Sequence, residues 1–124
     1  MTEGKEIVIN GTAYVRADSV SDKTPAKELD GLKYCIVRTY SAGVFAGYLA
    51  SREGKEGMVL NARRIWKWSG AASLSQLAME GTKNPNDCKF PCEVDTITLT
   101  EIIEIIQCTE KARKSIADVK VWQM

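Results

Sequence analysis

Leu32-Lys33-Tyr34-Cys35-Ile36-Val37-Arg38-Thr39-Tyr40, then Val44-Phe45-Ala46-Gly47-Tyr48-Leu49-Ala50-Ser51, then Met58-Val59-Leu60-Asn61-Ala62-Arg63-Arg64-Ile65-Trp66-Lys67-Trp68 decide the fold. Each run is rich in β-branched and aromatic residues, the chemistry that suits a pleated, half-buried surface. The runs are punctuated by Ser41-Ala42-Gly43 and by Glu53-Gly54-Lys55-Glu56-Gly57, two short polar stretches whose glycines suit tight reversals. Three consecutive strands in an antiparallel meander follow, and the expected class is α+β: a small antiparallel sheet or partly open barrel with two short helices.

Downstream of the meander, Ser73-Leu74-Ser75-Gln76 has the pattern of a capping box, with serine taking an early helix amide and glutamine reaching back to the cap amide. It predicts a helix over Leu74 to Glu80 that stops at Gly81, a residue at ease in the left-handed conformation past a helix end. Thr82 to Asp87 reads as a polar loop around Pro85. Asp95 to Cys108 carries two patterns at once: Leu99, Ile102, Ile103 and Ile106 share a helical face, while its isoleucines and threonines favour a strand. We read it as a strand. Thr109 is placed to cap a last helix over Glu110 to Asp118 with Ala112, Ile116 and Val119 inward, and Val119 to Trp122 is read as a terminal strand.

Upstream, Ile7-Val8-Ile9 and Ala13-Tyr14-Val15 flank Asn10-Gly11, a dipeptide suited to a hairpin turn. Ala17 to Asp30 reads as loop, with a helical turn at Ala26 to Leu29. The organisation is thus an N-terminal hairpin and loop over 1–31 and an α+β unit over 32–124, together one compact domain. Trp122 is read as an anchor for the tail, and a docked tail goes with the expectation of a homo-oligomer.

The bulk numbers narrow the function classes. Seventeen basic and sixteen acidic residues in 124 give a net charge of +1, so no long-range field draws the protein to nucleic acid or an anionic membrane. Apolar stretches are broken by charge within a few residues, so no membrane span and no export signal is expected, which places the protein in the cytoplasm. In that reducing compartment Cys35, Cys88, Cys92 and Cys108 are expected as free thiols. With no histidine, a zinc site requires all four, at a spacing looser than a paired-ligand knuckle; no metal and no cofactor is expected. The commonest general acid/base is absent with histidine, and no nucleophile-elbow or phosphate-loop pattern occurs. Glu101 and Glu104 pair only if their segment is helical. The expectation is a protein that binds and does not catalyse.

One stretch offers binding chemistry. In a strand, Arg64, Trp66 and Trp68 share a face, and Ser69-Gly70-Ala71-Ala72-Ser73 leads from it to a helix N-terminus. Indole rings stack on planar bases, a guanidinium grips phosphate, and free amides at a helix start suit an anion. Arg64, Trp66, Trp68, Ser69, Gly70 and Ser73 are therefore candidate ligand-binding residues for a nucleotide-like molecule, with Arg38 added if register brings β-strand neighbours together. The competing reading makes both tryptophans core or subunit-interface anchors and the loop a mere link; it is favoured locally, because the glycine and lysine of a phosphate loop are missing.

Tyr40-Ser41-Ala42-Gly43-Val44-Phe45-Ala46-Gly47, Arg64-Ile65-Trp66-Lys67-Trp68-Ser69-Gly70-Ala71-Ala72-Ser73-Leu74-Ser75 and Leu99 to Cys108 resemble an uncharacterised family of small tailed-bacteriophage and prophage proteins, over roughly three quarters of the chain. The resemblance implies a phage origin and expression in the host bacterial cytoplasm, and it carries no assigned site. By analogy, the implied roles are a counter-defence protein that sequesters a nucleotide-like host signal, a virion-associated structural protein, or an inhibitor of a host protein.

Overall fold

In the computed structural model the described residues are 24–123; the hairpin expected at Ile7 to Val15 lies outside them. The meander starts where the sequence places it. Strand β1 covers Lys33–Thr39, β2 Val44–Glu53 and β3 Glu56–Arg64. The first reversal is fixed by Thr39, whose backbone N–H (2.9 Å) and hydroxyl (2.8 Å) both donate to the Gly43 carbonyl. Gly43 itself has φ 102°, a value that favours glycine. Beyond the meander come helix α1 (Leu74–Glu80), a single turn of 3₁₀ helix (Pro85–Asp87), β4 (Glu93–Leu99), β5 (Ile102–Gln107) and helix α2 (Glu110–Asp118). The five strands form one antiparallel sheet in the order β4-β3-β2-β1-β5.

The segment expected as one strand, Asp95 to Cys108, is two, and they occupy opposite edges of the sheet. Only Thr100 and Glu101 join them. Three Cα steps span at most about 11 Å, whereas the edges of a flat five-stranded sheet lie four spacings, about 19 Å, apart. The sheet must therefore curl until its edges meet at that corner, which makes it a partly open barrel. The closing contact is a bond from Ile102 N–H to the Lys55 carbonyl at 2.9 Å, beside the Gly57↔Leu99 pair. A Cβ on Gly57 would lie 2.8 Å from Ile102 Cδ1 and 2.9 Å from the Ser51 carbonyl oxygen, so the seam closes over a missing side chain.

Curling separates two cores. Cys35, Val37, Phe45, Val59, Ala62, Leu99 and Ile102 fill the concave side. Tyr34, Ile36 and Ala46, from the other face of β1 and β2, pack with Leu77, Ala78, Ala112, Ile116 and Val119 of the helical layer. Burial on both faces explains why β1 reads as a continuous apolar run without alternation.

Both helices occupy the expected residues. Ser73 accepts the Gln76 N–H and Gly81, at φ 78°, donates to the Leu77 carbonyl. The Gln76 side chain departs from the expected box: it accepts from Ala72 N–H at 2.7 Å, one residue before the cap. Thr109 accepts the Ala112 N–H and donates its own proton to the Met79 carbonyl (2.7 Å), so the cap of α2 also ties it to the end of α1. Three local expectations fail. Ala26 to Leu29 forms no helical turn; Leu29 and Leu32 instead bracket a tight Asp30-Gly31 turn, with φ 51° and 84°. The tail forms no strand beyond a single bridge between Val121 and Phe90, with Trp122 under the Lys89 ammonium at 5.4 Å. Finally, β3 stops at Arg64, because the N–H groups of Trp66 and Lys67 both turn to one carbonyl, that of Lys89.

Candidate ligand cleft

That shared carbonyl breaks the alternation on which the aromatic-cationic face depends. Arg64 opposes Phe45 on the concave side; its guanidinium lies 4.5 Å over the Phe45 ring and donates to the Ala42 carbonyl. Trp66 is 64% exposed, and Trp68 packs on the helical side with Ala71 and Leu74. Arg64 and Trp68 therefore serve different cores, and Trp66 belongs to neither. Ser69 and Gly70 hold the loop that follows α1: the Ser69 carbonyl accepts from the Thr82 hydroxyl and the Cys88 thiol, and the Gly70 carbonyl from Lys83 N–H. A Cβ on Gly70 would stand 2.5 Å from Asn84 N, so glycine is needed for close approach, not for anion contact. Ser73 is spent on its cap. Arg38 opposes Val44 rather than Phe45, which puts it on the other face from Arg64, and it pairs with Glu104 at 3.0 Å. The seven residues expected to form one site are thus not gathered into one place.

A different group of residues does converge. Tyr34 (β1), Tyr48 (β2), Asn61 and Arg63 (β3), Glu93 (β4) and Arg113 (α2) line a cleft of about 370 Å³ between the sheet and the end of α2, floored by Val119 and Val121. Its size is at the lower end for small-molecule sites, roughly 300–1,000 Å³. Register builds it. Tyr34 and Tyr48 are a cross-strand pair, edge to face at 5.0 Å. Arg63 and Glu93 are directly opposed on β3 and β4. Between Ala46 and Tyr48 only Gly47 intervenes on β2, while Asn61 and Ala62 intervene on β3. This bulge, with Asn61 at φ 50°, brings Asn61 to the cleft wall. A Cβ on Gly47 would meet the Leu60 carbonyl at 2.8 Å, so the bulge requires glycine opposite.

Arg63 is the buried centre of this wall, 6% exposed and with no carboxylate bonded to it among the described residues. Its guanidinium donates to four backbone carbonyls: Pro91 (3.0 Å), Phe90 (3.1 Å), Ile116 (2.8 Å) and Val119 (2.6 Å). The last two belong to the C-terminal end of α2, where the helix dipole favours a cation. Burial pulls its pKa below the ordinary guanidinium value. Arg113 donates through Nε and Nη2 to both oxygens of Glu110, which holds Arg113 firmly charged and draws the Glu110 carboxyl down to about 2.

The polar groups left over are the informative ones. Tyr34 is 8% exposed, its phenol is pushed up chiefly by burial, and its hydroxyl has no hydrogen-bond partner among the described residues. The groups that act on it electrostatically include the cleft residues Tyr48, Glu93 and Arg113. The Asn61 amide and the Glu93 carboxylate likewise have no side-chain partner among the described residues. Buried hydroxyls are normally bonded, so an unspent one beside a cleft points to something that completes it. Burial raises the Cys35 thiol and takes Cys108 to about 12, and no cluster of metal-ligating residues exists among the described residues.

The family of these residues is settled by comparison. A family described as a domain of unknown function, DUF6948, matches residues 32–116. The chain belongs to the DUF6948 family. The DUF6948 match spans β1 through Ile116 on α2, and so includes every polar cleft residue. No curated protein and no solved structure matches the chain. No helix among the described residues is long and apolar enough to cross a membrane.

Proposed function

We propose that this DUF6948 protein is a bacteriophage or prophage accessory protein that acts in the host cytoplasm by binding a small nucleotide-like host signal, without catalysis. The observation that carries the reading is the cleft itself: five elements converge on it, and a buried tyrosine hydroxyl beside it has no hydrogen-bond partner among the described residues. Phage origin rests on the resemblance of the Tyr40–Gly47, Arg64–Ser75 and Leu99–Cys108 segments. Balanced charge speaks against nucleic acid as the partner. A homo-oligomer belongs to the same reading, on the expectation drawn from a docked tail. A thermal-shift screen against mono-, di- and cyclic nucleotides and nucleosides, with light scattering for mass, tests it. A ligand that raises Tm in the wild type and not in a Tyr48→Ala variant is the expected result; no response to any of these compounds removes the reading.

One observation favours a second reading, contact with a protein. Trp66 stands 64% exposed at a position where β3 has already ended, and tryptophan is among the residues enriched in protein interfaces. The partner is then a host protein that is inhibited, or neighbouring subunits of the virion. Trp66→Ala abolishing activity in the infected cell, with ligand binding intact, is the outcome that shifts the assignment.

A further inference from the structure

The charged groups of the cleft say which part of such a ligand it holds. A nucleotide is usually gripped by its phosphate, through free guanidinium or ammonium donors. Here the guanidinium charges are already engaged: Arg63 gives four of its five N–H bonds to carbonyls, and the charge of Arg113 is balanced by its bidentate contact with Glu110. Wholly without a side-chain hydrogen-bond partner among the described residues are a hydroxyl (Tyr34), an amide (Asn61) and a carboxylate (Glu93), beside the partly exposed ring of Tyr48. A carboxylate accepts and cannot donate, so it calls for N–H donors on the ligand and repels phosphate. The amide supplies an N–H for a carbonyl oxygen. Tyrosine gives a face for stacking, and every base has a π-face to match.

We infer that the cleft lined by Tyr34, Tyr48, Asn61 and Glu93 recognises the base of the ligand, a planar ring with adjacent N–H donors beside a carbonyl as in guanine, and leaves any phosphate outside. Glu93 takes the paired N–H groups, Asn61 donates to the carbonyl, and Tyr34 closes the remaining polar position. This rests on the small-ligand reading above and narrows it. No protein group among the described residues bonds the Tyr34 hydroxyl, so its removal from the ligand-free protein breaks no bond within the fold.

Calorimetric titration with guanosine, guanosine monophosphate and adenosine tests the inference on the full chain. Guanosine is expected to bind, its monophosphate no more than about threefold tighter, and adenosine at least tenfold more weakly, because adenine offers no carbonyl and no ring N–H on that edge. Glu93→Gln and Tyr34→Phe are each expected to weaken guanosine by about tenfold, the size of one hydrogen bond. Tyr34→Phe in the ligand-free protein is expected to leave Tm unchanged, whereas a hydroxyl with a structural bond would lower it. Tighter binding by tenfold or more on adding phosphate, or Tyr34→Phe lowering Tm and sparing affinity, overturns base recognition while leaving the small-ligand function standing. Binding by none of the nucleosides or nucleotides overturns both.

Discussion

Replacing Arg63 by methionine keeps much of the aliphatic stem and deletes the charge with its four bonds. Two of the four carbonyls retain a backbone partner: Phe90 accepts from Trp122 N–H at 2.9 Å and Ile116 from Val119 N–H at 3.2 Å. The carbonyls of Pro91 and Val119 have no other bond among the described residues. Leaving a buried polar group unsatisfied costs about 1–3 kcal/mol, and bonds to a charged donor contribute about 1.5–3 each. Part of this returns, because methionine carries no charge to desolvate and the cleft admits water. The net expectation is a loss of about 3–4 kcal/mol from a total on the order of 5–15 kcal/mol. At roughly 4 °C per kcal/mol for a domain of this size, Tm falls by about 12–16 °C. Arg63→Lys restores the charge but not the fork: a compact ammonium has three donors and cannot span four carbonyls, so about half of the loss should return. Urea unfolding of the three proteins at neutral pH measures the differences. An Arg63→Met variant within about 1 kcal/mol of wild type would refute the reasoning, since the guanidinium would then gain from its carbonyls only what its burial costs.

Glu110 has a folded pKa of about 2 against an ordinary 4.5, so its contribution is complete above pH 4.5 and is lost as pH falls towards 2. Urea midpoints should drop across that window in the wild type and drop less in Glu110→Gln, which should already be weaker at pH 7. Gly57→Ala should cost about 1–3 kcal/mol by forcing the seam apart at Ile102 and the Ser51 carbonyl, with the loss visible as a lower Tm. Thr109→Ala removes both the α2 cap and the bond to Met79, and about 1–2 kcal/mol of stability by chemical denaturation is expected to go with them.

Local signals in the chain proved legible where the physics is local. Ser73, Gly81 and Thr109 mark their helices because a cap depends on neighbours within four residues, and Gly43 and Gly54 mark reversals for the same reason. Asp95 to Cys108 was half legible: its isoleucines and threonines announce extended chain, but the break at Thr100-Glu101 has no glycine or proline to advertise it. That break exists because β5 has somewhere to go, namely the free edge of β1, and this is a tertiary fact. The expected binding face failed for a similar reason. A strand rule predicts that Arg64, Trp66 and Trp68 align, and the alternation is undone by Lys89, more than twenty residues away along the chain. Tyr34, Tyr48, Asn61, Arg63, Glu93 and Arg113 lie on five elements, and nothing in their spacing unites them without the register. The one available hint was Asn61, a polar residue with a taste for positive φ in the middle of an apolar strand, with Gly47 in the strand before it.

The two-residue passage from β4 to β5 also sets local pairing against long-range pairing. β1, β2 and β3 pair through hairpins between neighbours in sequence, the kind of contact that forms fast, whereas β4 reaches β3 across residues 65–92, a passage that carries α1. The last strand pairs with the first, as Arg38 and Glu104 do across 66 residues, and it reaches its place only once the curled sheet has brought Lys55 to Ile102. Docking β5 therefore acts as a latch on the curled sheet. Helix α2 starts three residues past β5 and buries the Arg63 guanidinium under its final turn, so its seat depends on that latch. The cleft between sheet and helix depends on it in turn, and a loosened seam would erase it.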